Sequence, residues 1–382
     1  MAVQDSIRTS LPLEDVASRA AAVDREGRFP RDSVDELARA GALGLAVPAR
    51  FGGADAGPAE VAEALEQVAG ACASTGMVLV MHVVAAQTLA AGVSDDEPEG
   101  PKHAALEAAA RGEQLLTLAY SERGSRGHFW AQVSRARADG DGVVVDADKS
   151  WATSAGEADA YVLACGAPGS DDPLATELYL VPGDDPAVQV PARFDGLGMR
   201  GNASAPLRVR GLRVSHDRRL GPPGGGFALM MQATLPWFIL GSAACCVGVA
   251  GAALEAAIEH AGRSRFEHIG TTLADVPGVR ARLAEARIRR DQARAHLYSV
   301  ARDISEGRPE AQLGVLALKA GAAEAASEVC DACLRIGGGA AYSRQGPLER
   351  HFRDARAASV MAPTTELLHD FLGKALVGKE LF

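Results

Sequence analysis

The sequence predicts a multi-domain α+β protein with an N-terminal helical domain, a middle β-domain and a C-terminal four-helix bundle. The chain has 382 residues, which is too long for one hydrophobic core and favours two or three domains. Apolar residues recur at helical spacing in its first and last parts, whereas short strand-like runs fill the stretch between them. This order of helices, strands and helices indicates consecutive domains, which we place at 1–116, 117–222 and 223–382.

The predicted N-terminal domain contains amphipathic helices separated by turns at Gly52-Gly53 and Gly57-Pro58. The segment from Met77 to Ala91 is apolar on every side, which is typical of a buried helix. His82 lies inside this segment, and we consider it either a hydrogen-bonded core histidine or a catalytic one.

The middle domain is predicted from short β-rich runs that begin near residue 115. Between two of these runs, Asp139-Gly140-Asp141-Gly142 is a typical hairpin turn. The β-rich stretch ends at a cluster of glycine and proline between residues 221 and 226, which marks a natural boundary.

The C-terminal domain shows four helical segments at about 228–262, 276–306, 310–335 and 348–379. Short connectors between Ala-rich segments favour an antiparallel four-helix bundle. Because proline is tolerated in the first turn of a helix, we expect the first segment to restart at Pro236.

Composition excludes several classes of function. The chain is 47% apolar and 23% charged with a net charge of −10, which indicates a globular protein and argues against nucleic acid as the partner. We expect no membrane span and no export signal in the first ten residues. The six cysteines have no disulfide-framework spacing, and we expect the Cys330–Cys333 pair to pack in a helix rather than bind a metal. A cytoplasmic, reducing compartment is the resulting expectation.

Two strings in the β-rich stretch carry the first functional evidence. Residues 119–128 read AYSERGSRGH, and residues 149–155 read KSWATSA. They resemble the L-T-E-P-G-A-G-S-D and K-x-W-I-T-N-G strings of the acyl-CoA dehydrogenase superfamily. The resemblance implies a flavin ring beside Tyr120, Ser121, Gly127, Trp151 and Thr153, where the tryptophan would shield it and the hydroxyls would bond it.

Four further strings follow in the family's order. Residues 198–204 resemble G-x-R-G-S-x-T, residues 263–266 resemble R-x-Q-F, residues 335–342 resemble Q-I-x-G-G-x-G-Y, and residues 350–356 resemble R-x-x-R-D-A-R. By this resemblance, part of the chain contacts FAD that is bound in a neighbouring subunit. The residues assigned to that contact are Arg263, Phe266, Arg335, Gly338 and Gly339.

The resemblance therefore implies FAD, with FMN or a loosely exchanging reduced flavin as the alternatives. It also implies a homo-oligomer, either a dimer or a tetramer. The substrate would be a small molecule, an acyl thioester or another small compound, and an electron-transfer protein or a flavin reductase would be the redox partner.

The sequence departs from the family at the catalytic base. Most relatives place a glutamate shortly after R-D-A-R, in the string Y-E-G-T-S-E, to take the substrate's α-proton. Counted without gaps, Ala362 occupies that position here. A displaced gap would bring Glu366 to it instead. Relatives with the base on the first bundle helix carry it at the place of Phe238, and no carboxylate lies near that position in this sequence.

Several other residues are candidates for the site. His128 is near the expected flavin and is a candidate proton shuttle. Trp237, Phe238 and Met361 are expected to line or narrow the substrate cavity, with ordinary core packing as the alternative for the two aromatic residues.

Three functions remain open from the sequence. The first is an FAD-dependent oxidoreductase that acts on an acyl thioester of CoA or a carrier protein, with non-standard chemistry because of Ala362. The second is a flavin-dependent monooxygenase of the same fold, since some superfamily members that lack the glutamate are monooxygenases. The third is a flavin-binding scaffold without catalysis.

Overall fold

The computed structural model describes residues 11–381, and it confirms the predicted order of helices, strands and helices. The prediction about an export signal concerned residues 1–10, which lie outside the described residues, as does Phe382. The N-terminal helices are α1 (Leu13–Glu26), α2 (Arg31–Arg39), α3 (Pro58–Ala71), α4 (Ala73–Ala91) and α5 (Pro101–Ala110).

Helix α4 is the buried helix that the sequence predicts, since nearly all of its residues are covered. Two helical stretches, Ala73–Ala91 and Gly226–Arg263, are long and apolar enough to cross a membrane by length and composition. In the most apolar 18-residue part of each stretch, however, 89% and 78% of the residues, respectively, are buried inside the fold. That burial is the pattern of core helices, because a globular core hides apolar side chains as effectively as lipid does.

The middle part of the chain forms two small sheets. The first has the order β1-β4-β5, with β1 parallel to β4 and β4 antiparallel to β5. The second is antiparallel with the order β2-β3-β7-β6. The predicted hairpin is confirmed, since Asp139 pairs with Gly142 and Gly140 has a φ of 62°, which glycine adopts readily. The strands are β1 (Leu116–Ala119), β2 (Arg137–Asp139), β3 (Gly142–Ala152), β4 (Ala160–Gly166), β5 (Thr176–Pro182), β6 (Val188–Gln189) and β7 (Ala205–Ser215).

The C-terminal part is a helical bundle, and its first segment confirms the expectation for Pro236. A short helix and a π-helical turn at Met230–Thr234 come first, and Pro236 then lies in the first turn of the long helix α7. A two-stranded ribbon (Arg265–Phe266 and Thr271–Thr272) follows α7. The helices are α6 (Gly226–Leu229), α7 (Leu235–Arg263), α8 (Pro277–Ser305), α9 (Ala311–Ala341), α10 (Pro347–Ala355), α11 (Ala357–Val360) and α12 (Thr365–Leu376).

The single helix predicted for 348–379 is wrong, because that stretch is divided into α10, α11 and α12. Met361 has an extended backbone (φ −68°, ψ 136°), and Ala362 precedes Pro363, a position that disfavours helix. Helix α9 also extends beyond the predicted end at residue 335, with a non-helical kink at Gly338. These differences matter because the break between α11 and α12 borders the main cavity.

Candidate functional site

A cavity of about 680 Å³ lies where the three parts of the chain meet. Met81 of α4 and Leu118 of β1 line one part of it, and Thr234, Leu235 and Phe238 line another. Other lining residues come from the loop after β1, the end of β3, the loop before β7 and the break after α11: Tyr120, Ser121, Arg123, Arg126, Gly127, Phe129, Trp151, Thr153, Phe194, Met199, Asn202, Ser204, Val360, Met361, Ala362 and Thr364.

One wall of the cavity presents hydroxyl groups beside an exposed tryptophan. The hydroxyls of Thr153 and Ser204 lie 2.9 Å apart. Two hydroxyls carry two hydrogens and their shared bond uses one, so the other remains for a ligand. Trp151 is 63% exposed and contacts Phe194 edge to face, with ring centroids 6.3 Å apart. An indole so exposed at a cavity rim is suited to cover a flat aromatic ligand.

The loop before β7 is held in an unusual backbone conformation. Met199 and Ala203 have φ values of 48° and 50°, in the left-handed region that non-glycine residues rarely adopt. The buried Asp354 carboxylate accepts a hydrogen bond from the Met199 amide at 2.6 Å, and the Ser74 hydroxyl accepts one from the Gly201 amide at 3.1 Å. These contacts offset the backbone strain and fix the wall that carries Ser204.

A buried ion pair supports the loop that carries Ser121. The Lys149 ammonium donates to the Glu122 carboxylate at 2.6 Å and to the Gln132 side-chain carbonyl at 3.0 Å. Glu122 also accepts from the amides of Val133 and Ser134. Although burial opposes ionisation, Lys149 and these donors hold the pKa of Glu122 below its usual value. Glu122 is therefore committed to structure.

A second buried lysine holds the loop between α11 and α12. Lys319 of α9 is fully covered, and its ammonium donates to the carbonyls of Ala358, Met361 and Pro363 at 2.9, 3.0 and 2.7 Å. All three ammonium hydrogens are thus used. Burial lowers the pKa of Lys319 to about 8. We call these three contacts the lysine clamp; it presents Met361 and Ala362 to the cavity.

The position of the expected base carries no acid. Ala362 lines the cavity, whereas Glu366 is exposed in the first turn of α12 and is absent from the cavity wall. Among residues 11–381, Glu122 is the only carboxylate that lines the cavity, and its charge is neutralised by Lys149. The described wall therefore offers no free carboxylate to accept a substrate proton.

The two candidate histidines have different positions. His82 is fully buried outside the cavity: its Nδ1 accepts from the Leu116 amide at 3.0 Å, so its Nε2 donates to the Leu43 carbonyl at 2.9 Å. Burial lowers its pKa to about 4. With both nitrogens bonded, His82 is a core histidine, which corrects the catalytic alternative. His128 is exposed on the loop after β1, with Nδ1 3.0 Å from the Ser125 carbonyl, and does not line the cavity.

The remaining predicted residues fall into two groups. Phe238 and Met361 line the cavity with Tyr120, Ser121, Gly127, Trp151 and Thr153, whereas Trp237 is half-buried against the main core and does not line the cavity. The second group, far along the bundle, consists of Arg263, Phe266, Arg335, Gly338 and Gly339.

The distance between the two groups follows from α9. Arg335 is sixteen residues beyond Lys319, so it is about 24 Å away along the helix axis. The side chains of Arg263 and Arg335 are 79% and 62% exposed. None of the five residues lines the cavity within the described chain, so one copy of the chain does not bring the second group to it.

Sequence reasoning missed several residues of the site. Lys319 is a lone charge in the apolar run 315–323, and this isolation was a signal that it is buried with partners. Ser204 ends a string that was singled out for other residues. Arg123 and Arg126 lay inside the string 119–128 but were given no role, and for Thr234 only the fold shows its place at the cavity.

The cavity wall fits a flavin. A flat ring system requires an aromatic cover and hydrogen-bond donors at its polar edge. Trp151 supplies the cover, and Ser121, Thr153 and Ser204 supply hydroxyls on the adjoining wall. A flavin would cover the exposed Trp151 ring and accept the hydroxyl hydrogen that the Thr153–Ser204 pair leaves unused.

Comparisons with known proteins agree with this geometry. Residues 2–113, 117–212 and 224–377 match the N-terminal, middle and C-terminal domains of acyl-CoA dehydrogenase. The sequence is 31% identical over 351 residues to the mitochondrial short-chain specific acyl-CoA dehydrogenase of Bos taurus, covering 91% of this chain and 83% of that protein.

Two solved structures have the same fold. Butyryl-CoA dehydrogenase from Megasphaera elsdenii superposes with a TM-score of 0.90 at 22% identity, over 99% of this chain and 98% of that one. The prolyl acyl carrier protein oxidase AnaB superposes with a TM-score of 0.85 at 24% identity, over 98% of each chain.

Proposed function

The chain belongs to the acyl-CoA dehydrogenase family, and from this premise we propose that it is a flavin-dependent oxidoreductase acting on an acyl thioester of CoA or of a carrier protein. The observation that carries the proposal is the cavity, which places Trp151, Thr153 and Ser121 together beside the loop of Ala362. FAD is the proposed cofactor, with its ring between these residues. When bound, the flavin supplies an acceptor for a hydride.

The cavity rim supports a phosphorylated carrier for the acyl group. Arg123 and Arg126 line the cavity, are exposed, and have no acidic partner within residues 11–381. Guanidinium groups bind phosphate oxygens through charge-assisted hydrogen bonds. The phosphates of CoA and of a carrier-bound pantetheine offer the same chemistry, so both remain within the proposal.

The residues of the inner wall have different proposed roles in the reaction. Phe238, Met361 and Leu118 exclude water, while the Thr153–Ser204 pair orients the polar edge of the ring. Ala362 cannot take a proton, and Glu122 is engaged by Lys149. We therefore propose that the α-proton is lost to water and not to a carboxylate of the wall. The resulting substrate enolate would then give its β-hydride to the flavin and become the α,β-unsaturated thioester.

Anaerobic reduction of the bound flavin tests this proposal. The FAD-loaded protein is mixed with a panel of acyl-CoA and acyl-pantetheine thioesters, and the visible flavin absorbance is followed. Bleaching with a subset of the panel is the expected result. Retained colour with every thioester would contradict the proposed reaction.

A flavin-dependent monooxygenase is the second candidate, and Ala362 favours it because oxygen activation by a flavin requires no carboxylate at that position. It predicts oxygen consumption that depends on a supplied reduced flavin and on a non-thioester substrate. Tight FAD binding without either activity would instead support a flavin-binding scaffold.

A further inference from the structure

Three buried hydroxyl groups from three separate parts of the fold form a hydrogen-bonded chain, and two of the three residues belong to the cavity wall. Thr88 lies on α4, Thr234 ends the π-helical turn, and Tyr120 follows β1. The Thr88 and Thr234 oxygens are 2.8 Å apart, and the Tyr120 and Thr234 oxygens are 3.3 Å apart. Their exposed fractions are 0%, 3% and 5% in the order Thr88, Thr234, Tyr120, yet Thr234 and Tyr120 line the cavity. We refer to these three groups as the hydroxyl chain.

The direction of the hydrogen bonds in the hydroxyl chain is fixed at one end. The Thr88 hydroxyl donates to the Val84 carbonyl four residues earlier, at 2.8 Å. A hydroxyl has one hydrogen, so Thr234 must be the donor in its contact with Thr88. Thr234 then has no hydrogen left, and Tyr120 must be the donor in its contact with Thr234. Because all three hydrogens are used within the hydroxyl chain, the oxygens of Thr234 and Tyr120 have only lone pairs left for a further partner.

The neighbouring wall makes these acceptors distinctive. Met81, Leu118, Leu235 and Phe238 surround this part of the cavity with apolar side chains. When a purely alkyl chain fills such a space, it displaces the water that would bond the acceptor. The acceptor then lacks a partner, which costs free energy and disfavours alkyl ligands. Thr234 also closes a π-helical turn, a local distortion that occurs frequently at functional sites.

We propose that the hydroxyl chain is a specificity subsite for a neutral hydrogen-bond donor, a hydroxyl or an uncharged N–H, on the acyl chain of the substrate. This inference rests on the proposed function, because it assumes that the acyl part of a thioester enters the cavity. An ammonium group fits less well, since the only carboxylate lining the described cavity, Glu122, is already paired with Lys149.

Matched thioesters test the subsite. Acyl-CoA compounds with a hydroxyl on carbon 3, 4 or 5 are each compared with the compound in which a methyl replaces that hydroxyl. Dissociation constants for the FAD-loaded protein are measured by calorimetry. We expect the hydroxyl compound to bind about 3- to 10-fold more tightly at one of these positions, the range of one net hydrogen bond.

Two substitutions remove the acceptors with little change of shape. Tyr120→Phe and Thr234→Val each remove one acceptor and should each weaken that hydroxyl preference, and the double variant should abolish it. Thr234→Ser keeps the hydroxyl and should retain the preference. Two variants keep the test valid if one of them fails to fold. A hydroxyl-to-methyl ratio that stays unchanged in both single variants and in the double variant overturns the subsite, as does a wild-type preference for the methyl compound at every position.

The binding ratio separates this inference from the proposed function. Thioesters that show the hydroxyl preference but never reduce the flavin overturn the proposed reaction and support the subsite. Reduction by thioesters without any hydroxyl preference supports the reaction and overturns the subsite. Absence of binding by every thioester overturns both, and tighter binding of a 4-aminobutyryl thioester than of its hydroxyl counterpart overturns the choice of a neutral donor.

Discussion

Ala362 is the residue whose replacement should most change the chemistry of the cavity. It lines the wall, and its neighbours Met361 and Pro363 are fixed through their carbonyls by Lys319. A side chain introduced at this position would therefore start from a well-defined backbone. The ammonium of Lys319 close behind the loop would also favour the ionised form of an introduced carboxyl.

Ala362→Glu should increase the rate of thioester-dependent flavin reduction relative to the wild-type protein. A base held within hydrogen-bond reach of the α-proton contributes on the order of 10²- to 10⁴-fold to the rate of its removal. The measurement is the single-turnover rate of flavin bleaching, under anaerobic conditions, with the best thioester of the panel. Ala362→Gln is the matched control, since it has the same size and cannot act as a base.

Equal rates in the Glu and Gln variants would show that the loop does not place this side chain at the substrate. The alternative alignment makes the opposite prediction. If Glu366 were the base, Glu366→Gln would abolish reduction in the otherwise unchanged protein. Its exposed position on α12 leads us to expect no change.

At the scale of elements, the break between α11 and α12 depends on a side chain from another helix. The lysine clamp gives three buried carbonyls their partners, two of them at residues that have left helical geometry. Without it, those carbonyls would be buried and unpaired, which costs about 1–3 kcal/mol each. The clamp thereby determines where Ala362 lies.

Lys319→Met should destabilise the protein by about 2–4 kcal/mol, because the loss of carbonyl partners exceeds the relief from burying an ammonium. Urea unfolding at neutral pH measures this change. The variant should also expose the loop to limited proteolysis near residues 358–363. Lys379→Met, at an exposed lysine, is the control and should leave both measurements unchanged. Wild-type stability in Lys319→Met would contradict the role of the clamp.

The elements themselves differ in how far the sequence predicts them. Long periodic or uniformly apolar stretches such as α4 and α7 were predicted, because burial of their side chains follows from local pattern. The three-part division of the last segment was not, since α10, α11 and α12 each keep a helical pattern and the interruption depends on Lys319, a residue about forty positions earlier. A local sequence pattern does not predict a contact with a residue so far away in the chain.

For the whole molecule, the position of the cavity follows from the assembly of three domains. The ordered strings predicted the family and singled out Ser121, Trp151 and Thr153, which line the cavity, because those strings are local. The hydroxyl chain and the left-handed loop at Met199 could not be predicted, since they arise from contacts between α4, the β-domain and the bundle. Arg335 belongs to the second group of predicted cofactor residues, but within one chain it lies far from the cavity. It could therefore contact FAD only in another copy of the chain.

We propose that Arg335 reaches FAD bound to a second copy of the chain, and Arg335→Ala tests this. Loss of a charge-assisted contact to phosphate should weaken FAD binding about 10- to 100-fold, because such bonds contribute about 1.5–3 kcal/mol. FAD affinity is measured by titration, and molar mass by light scattering. Arg213→Ala, at a strand residue with 81% of its side chain exposed, is the control. Within one chain, about 24 Å along α9 separates Arg335 from the lysine clamp. Unchanged FAD affinity in Arg335→Ala, or tight FAD binding by a monomer, would therefore contradict a cofactor shared between copies.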